Sequence, residues 1–67
     1  MFSGEEIATI LESQGFERMR QKGSHLIMQK KTQTTVTVPI PMHKEVRIGT
    51  LQSIIRQSGL HKNLFQV

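Results

Sequence analysis

Two segments of helical pattern lie towards the ends of the chain, and each finishes on a glycine followed by a large apolar residue. The first runs from Ser3 to Gly15 and the second from near Ile48 to Gly59. Apolar residues recur in both at the spacing that lines one side of a helix, and glycine readily ends a helix. A helix with one apolar stripe must bury it against another element. The segment between the helices must therefore supply a surface that both can cover.

The N-terminal helix has a complete start signal. Ser3 followed by Glu6 predicts a capping box, and Phe2 and Ile7 occupy the two positions of a hydrophobic staple. Glu5 and Glu6 lie in the first turn, where the helix dipole favours negative charge. We therefore predict a helix that begins directly after Ser3.

The middle of the chain alternates as strands do. We predict strands over residues 16–21, 24–30 and 34–38, with turns at Lys22-Gly23 and at residues 31–33. The third segment is the clearest because its residues are β-branched throughout. Three strands joined by turns this short are expected to form an antiparallel meander.

Two prolines mark the predicted end of the sheet. Pro39 and Pro41 have no N–H to donate, so residues 39–48 are expected to form a loop. That loop contains His43, Lys44 and Arg47. Residues 61–67 are expected to add one turn that packs Leu64 and Phe65.

These elements predict an α+β fold of order α-β-β-β-α, in which both helices cover one face of a three-stranded antiparallel sheet. This is the element order of double-stranded-RNA-binding domains (dsRBDs), which grip RNA through phosphate and 2′-hydroxyl contacts. We expect residues 1–67 to form a single domain. A chain of this size buries only about 60% of its unfolded surface, so any chemistry is expected on an exposed face.

The charge is basic and unevenly distributed. The formal net charge is +4; residues 1–15 have three Glu and no Lys or Arg, whereas residues 16–31 have five Lys or Arg and one Glu. Such a cationic region favours a polyanion as partner. The three Phe residues all have structural explanations, so contacts with phosphate and shape are expected to outweigh base stacking.

Several functional classes lack their sequence signals. The chain has no Cys, which excludes a disulfide framework and favours the cytoplasm. Its three His are widely separated and its carboxylates few, so we expect no metal site. No phosphate-binding or dinucleotide motif, signal peptide or membrane span is present, and neither a cofactor nor a membrane role is expected.

The segment Lys22-Gly23-Ser24-His25 is the best candidate for chemistry. Histidine can take or give a proton at neutral pH, and RNA supplies its own nucleophile, the 2′-hydroxyl. Backbone N–H groups at Gly23 could help bind phosphate. The side chains that could hold it are Lys22, Lys30, Arg18 and Arg20. Spacing alone does not separate general base from general acid, and a strand histidine without chemistry is the commoner case.

Three blocks of the sequence resemble one family. Lys22-Gly23-Ser24-His25 before an apolar strand resembles the signature of the HicA toxins, also called YcfA-like proteins. Thr35-Val36-Thr37-Val38-Pro39 is similar to that family's third strand. Gly49-Thr50-Leu51 and the segment from Ile54 to Leu60 are similar to its closing helix. The three blocks occur in the family's order and cover nearly the whole chain.

The resemblance implies the same α-β-β-β-α fold and a ribosome-independent mRNA interferase paired with a HicB antitoxin. The family's functional histidine falls on His25, and many members have a second histidine where this chain has Leu26. We therefore expect a toxin that cuts mRNA without metal through His25, with Lys22, Gly23 and Ser24 at the RNA. Two alternatives remain at this stage. One is a non-catalytic dsRBD-like RNA-binding module; the other is an inactive or solitary homologue acting through protein partners.

Overall fold

The computed structural model describes residues 1–66 and has the predicted order of helices and strands. Its elements are α1 (Gly4–Ser13), β1 (Glu17–Lys22), β2 (His25–Lys31), β3 (Thr35–Pro41), α2 (Ile48–Ser58) and a 3₁₀ turn (Lys62–Phe65). The strands form one antiparallel sheet in the order β1-β2-β3. The α+β, dsRBD-like prediction is confirmed. The expected final turn is present and buries Phe65, but the prediction that it also packs Leu64 is wrong, because Leu64 is exposed. Val67 lies outside the described residues.

Helix α1 begins and ends as its sequence predicts. The Ser3 N–H donates to Glu6 Oε1 at 2.8 Å, and the Glu6 N–H donates to Ser3 Oγ at 3.1 Å, which completes the capping box. At the other end Gly15 takes a φ of 96°, and the Phe16 N–H reaches the Leu11 carbonyl at 3.0 Å. Phe16 is buried, so the chain leaves the helix already packed on the core.

Both helices pack on the same face of the sheet. Leu26 and Met28 of β2 and Val38 and Ile40 of β3 are buried against the helices, and the residues that alternate with them face the other way. The buried strand residues and the apolar stripes of the helices belong to one cluster that includes Ile7, Leu11, Leu26, Met28, Val38, Ile40, Leu51 and Ile54. Within residues 1–66 no helix covers the second face of the sheet, as predicted.

The turn between β1 and β2 falls one residue later than predicted. Gly23 and Ser24 are its two central residues, so His25 is the first residue of β2. Gly23 has a φ of 61°, whereas Ser24 has a negative φ, which matches a type II′ hairpin turn. No atom lies within 4 Å of the place a Gly23 side chain would occupy, so glycine is required here for backbone conformation alone.

The prediction that the prolines end the sheet is wrong, because β3 continues through both of them. Pro39 lies opposite Ile27 and Pro41 opposite His25. The Met42 N–H donates to the Ser24 carbonyl at 2.8 Å, so the prolines fall at the alternate, non-hydrogen-bonded positions of the ladder. In an edge strand the nitrogen at such positions faces away from the sheet, where proline is tolerated. The loop is therefore shorter than expected, residues 42–47.

An irregularity in β1 divides its cations between the two faces. The register shifts between Arg18 and Arg20. Arg18 lies opposite the buried Met28, on the helix side, whereas Arg20 and Lys22 lie opposite Ile27 and His25, on the open side. Without this bulge, plain alternation would have placed all three cations on one face.

The N-terminal segment fastens the loop after β3. The Gly4 N–H donates to the His43 carbonyl at 2.9 Å, and the Val46 N–H donates to the Phe2 carbonyl at 2.8 Å. A Cβ on Gly4 would lie 2.7 Å from the Met42 Cα and closer still to a backbone oxygen. This position therefore needs glycine for close backbone approach.

We predict that Gly4→Ala lowers the free energy of unfolding by about 1–3 kcal/mol, because the loop backbone must move to admit the methyl group. Gly49→Ala is the matched control, since nothing lies within 4 Å of its added methyl. The control should be neutral or more stable by up to about 1 kcal/mol. Urea unfolding followed by circular dichroism measures both, and a Gly4→Ala protein as stable as wild type would contradict the close approach.

Candidate functional site

His25 is exposed at the end of the sheet, between both neighbouring strands. It is the first residue of β2, opposite Lys22 on β1 and Pro41 on β3. Its side chain belongs to the open side of the sheet, because the next residue, Leu26, points into the core. The ring therefore projects from a strand whose backbone is paired with a neighbouring strand on each side.

A surface groove of about 290 Å³ opens beside His25. It lies where β2 begins, β3 ends and α2 starts. Its lining residues are His25, Pro41, His43, Glu45, Val46, Arg47 and Thr50. Most of them are exposed, so the site is a shallow groove, as a chain of this size leads one to expect.

The start of α2 contributes to the groove. Arg47 is the N-cap residue and its side chain makes no capping hydrogen bond; the first turn of α2 has no acidic residue. Helix α1 differs, since its own Ser3 and Glu6 cap it. The first N–H groups of a helix have no partner within the helix and attract anions. With Arg47 and Thr50 beside them, these groups make the groove suitable for phosphate.

Arg18 is occupied elsewhere. Its guanidinium pairs with Glu5, and its Nε lies 3.1 Å from Glu12 Oε2, which ties β1 to α1. The hydrogen bond from Arg18 holds the pKa of the Glu5 carboxyl below its ordinary value, and the bonds to Glu5 and Glu12 raise the pKa of Arg18 itself. Among residues 1–66 these are the only ion pairs, so Lys22 and Arg47 have no carboxylate partner there.

The structure brings together only part of the predicted set. Lys22, Gly23, Ser24 and His25 lie at the groove end of the sheet, and Arg20 shares the open face. Arg18 faces α1, and Lys30 lies on the helix side, its Cε only 3.3 Å from where a Gly15 side chain would begin. The geometry therefore does not bring Arg18 or Lys30 to His25.

Sequence reasoning missed the contribution of the loop. His43 and Arg47 are predicted loop residues, and His43 beside Lys44 has the same two interpretations as His25, functional or merely structural. Nothing in their spacing places them beside His25. The signal that would have done so is the continuation of β3 past its prolines, which sets Met42 opposite Ser24. Thr50 had no functional signal at all.

Position 26 does not belong to the groove. Leu26 is 6% exposed and packs in the core, because neighbouring strand residues point to opposite faces. The presence of leucine after His25 therefore removes no group from the groove of this protein.

The fold and the groove define a dsRBD-like α+β domain with a shallow surface site that contains two histidines and an arginine. The chain belongs to the HicA toxin family of bacterial toxin–antitoxin systems, because the sequence model of that family matches residues 4–60. HicA toxins pair with antitoxins. No curated protein and no solved structure matches the chain significantly.

Two further observations concern residues 1–66. No helix there has the length and apolar character needed to cross a membrane. No three His, Asp or Glu side chains in the same range converge so as to hold a metal ion.

We predict that Arg18→Gln lowers stability at pH 7 by a modest amount, because exposed ion pairs contribute little. The lowered pKa of Glu5 means that the pair stabilises the fold above the ordinary carboxyl pKa and is lost as pH falls through the folded-state value. The difference in urea midpoint between wild type and Arg18→Gln should therefore shrink below pH 4.5. Arg20→Gln, which breaks no ion pair, is the control; a gap that persists at low pH would contradict the assignment.

Proposed function

We propose that this protein is an endoribonuclease toxin, an mRNA interferase of the cytoplasm, that cuts RNA through His25 without a metal or other cofactor. The observation that carries the proposal is an exposed histidine in a surface groove that Arg47 also lines, in a HicA-family domain. Histidine is the side chain best suited to proton transfer at neutral pH.

The chemistry requires three things of the site. A base must take the proton of the 2′-hydroxyl, an acid must protonate the leaving 5′-oxygen, and cations must stabilise the phosphate. His25 serves one of the two proton transfers. Arg47, Lys22 and the N–H groups at the start of α2 hold the phosphate, and the Gly23-Ser24 turn fixes the position of His25.

The open face of the sheet extends this site towards a longer RNA. Arg20 and Lys22 lie on that face next to the groove, with Thr35 and Thr37 further along the sheet. The hydroxyl and cationic groups suit phosphate and 2′-hydroxyl contacts more than base reading. Arg18 and Lys30 are left out of the proposal because they lie on the helix side.

The proposed protein partner is an antitoxin of the HicB type. Arg47 in the groove and Lys22 beside it have no carboxylate partner among residues 1–66, which suits an acidic partner surface. A partner seated there would cover His25 and exclude RNA. The same groove would then serve substrate and antitoxin in turn.

We predict that His25→Ala abolishes the growth arrest and RNA decay that follow expression of the protein. With purified RNA and a metal chelator present, the substitution should slow cleavage by about 10²–10⁴-fold. His61→Ala is the matched control, since His61 does not line the groove. Because His25 is exposed, the variant should keep its thermal midpoint. A folded His25→Ala protein that cuts as fast as wild type would contradict the proposal, and stable RNA complexes without cleavage would favour the RNA-binding module.

We predict that Lys22→Gln weakens RNA binding and reduces the dependence of log Kd on log salt by about 1, because one phosphate contact is lost. Lys30→Gln removes the same charge from the helix side and should leave the salt slope close to that of wild type. Fluorescence anisotropy at several salt concentrations, with His25→Ala as a non-cutting background, measures both. Equal effects of the two substitutions would show that only net charge matters.

A further inference from the structure

The groove beside His25 contains a second imidazole. His43 comes from the loop after β3, and both histidines line the same groove of about 290 Å³. Both are exposed, so both can meet a molecule that enters from solvent. The two are 18 positions apart in the chain, and it is the length of β3 that brings them together.

The strand pairing brings the two histidines to the same groove. His25 lies opposite Pro41, and the Met42 N–H bond to Ser24 continues the same register just past the end of β3. His43 follows Met42 in the chain, and both histidines line the groove. Two imidazole side chains in one groove can approach one phosphodiester from two sides.

The position of His43 is fixed by its backbone. Its carbonyl accepts the Gly4 N–H at 2.9 Å, and Met42 just before it bonds to Ser24 at 2.8 Å. The side chain has no hydrogen-bond partner among residues 1–66 that would occupy the ring. His61 differs, because its Nδ1 accepts the Asn63 N–H at 3.1 Å and caps the 3₁₀ turn.

We propose that His43 is a second proton-transfer residue that forms an acid–base pair with His25. The proposal rests on the ribonuclease function proposed above. One neutral imidazole takes the 2′-hydroxyl proton as the 2′-oxygen bonds to phosphorus. The other, protonated, gives its proton to the 5′-oxygen as the bond from phosphorus to that oxygen breaks. The products are a 2′,3′-cyclic phosphate and a 5′-hydroxyl, and the two histidines have exchanged protonation states.

The charges around the pair are mixed. Glu45 and Arg47 line the same groove, Lys22 lies opposite His25 on β1, and Lys44 follows His43 in the loop. A pair that needs one neutral and one protonated ring gives a bell-shaped dependence of rate on pH. When cleavage is measured in the presence of a metal chelator, the rate is expected to rise and then fall as the pH increases.

We predict that His43→Ala slows cleavage of ordinary RNA by about 10²–10⁴-fold, as His25→Ala does. The decisive substrate is RNA with sulfur in place of the 5′-bridging oxygen at one site, since a thiolate leaves without protonation. Whichever variant lacks the general acid should recover most of its rate on the sulfur substrate, while the variant that lacks the base stays slow. Rescue of one variant, and only one, supports the pair and assigns its roles.

Other outcomes overturn it. If wild type cuts and His25→Ala does not, but His43→Ala cuts at the wild-type rate, the pair is refuted while the proposed function stands. Loss in both variants with rescue of neither marks His43 as structural and also refutes the pair. A wild-type chain that cuts no RNA ends the proposed function and the pair together. His61→Ala controls for loss of a histidine, and thermal midpoints check that each variant folds.

Discussion

The pairing of β2 with β3 is the interaction on which the rest of the site depends. It holds His25 against Pro41 and continues to the bond between Met42 and Ser24. That last bond carries the following loop across the end of the hairpin turn. If the strands parted after Val38, as the prolines suggest, the loop would begin too early to reach His25. The groove exists because proline is compatible with the outer side of an edge strand.

The same sheet separates two kinds of positive charge. The bulge in β1 turns Arg18 towards α1, where two carboxylates neutralise it, and turns Arg20 and Lys22 towards the open face. The acidic start of the chain and the basic segment after it thus meet in part across the α1–β1 contact. The charge that remains for a polyanion is smaller than the composition suggests, and part of it, Arg20, Lys22 and Arg47, lies on the open face or in the groove.

Sequence patterns predicted what short-range interactions determine. The capping box at Ser3, the glycine stop at Gly15 and the strand alternation are local, and all three are confirmed. Local sequence patterns did not predict the type II′ turn or the bulge, because each depends on pairing between strands. A one-residue difference in the turn makes His25 the first residue of β2, and a one-residue bulge decides which cations share its face.

The sequence predicted the central residue of the candidate site but not the residues that surround it in the fold. His25 was found from its local segment and from the resemblance, whereas His43, Arg47 and Thr50 reach it through tertiary structure. Chain neighbours of a strand residue point to the opposite face, so Leu26 is close to His25 in sequence and remote from the groove. Functional partners of a strand residue are better sought opposite it in the ladder.

Backbone hydrogen bonds hold the start of α1 against the loop that lines the groove. The capping box holds Ser3 and Glu6 in a defined turn, and the residues beside Ser3 bond to the loop: Phe2 to Val46 and Gly4 to His43. Fraying of this helix end would release both bonds at once, because they come from the same three-residue segment. The loop has no regular structure of its own, so its geometry depends on these bonds and on β3. A thin core can therefore support a defined site, since the site is built from the backbone that ends its elements and requires no enclosed pocket.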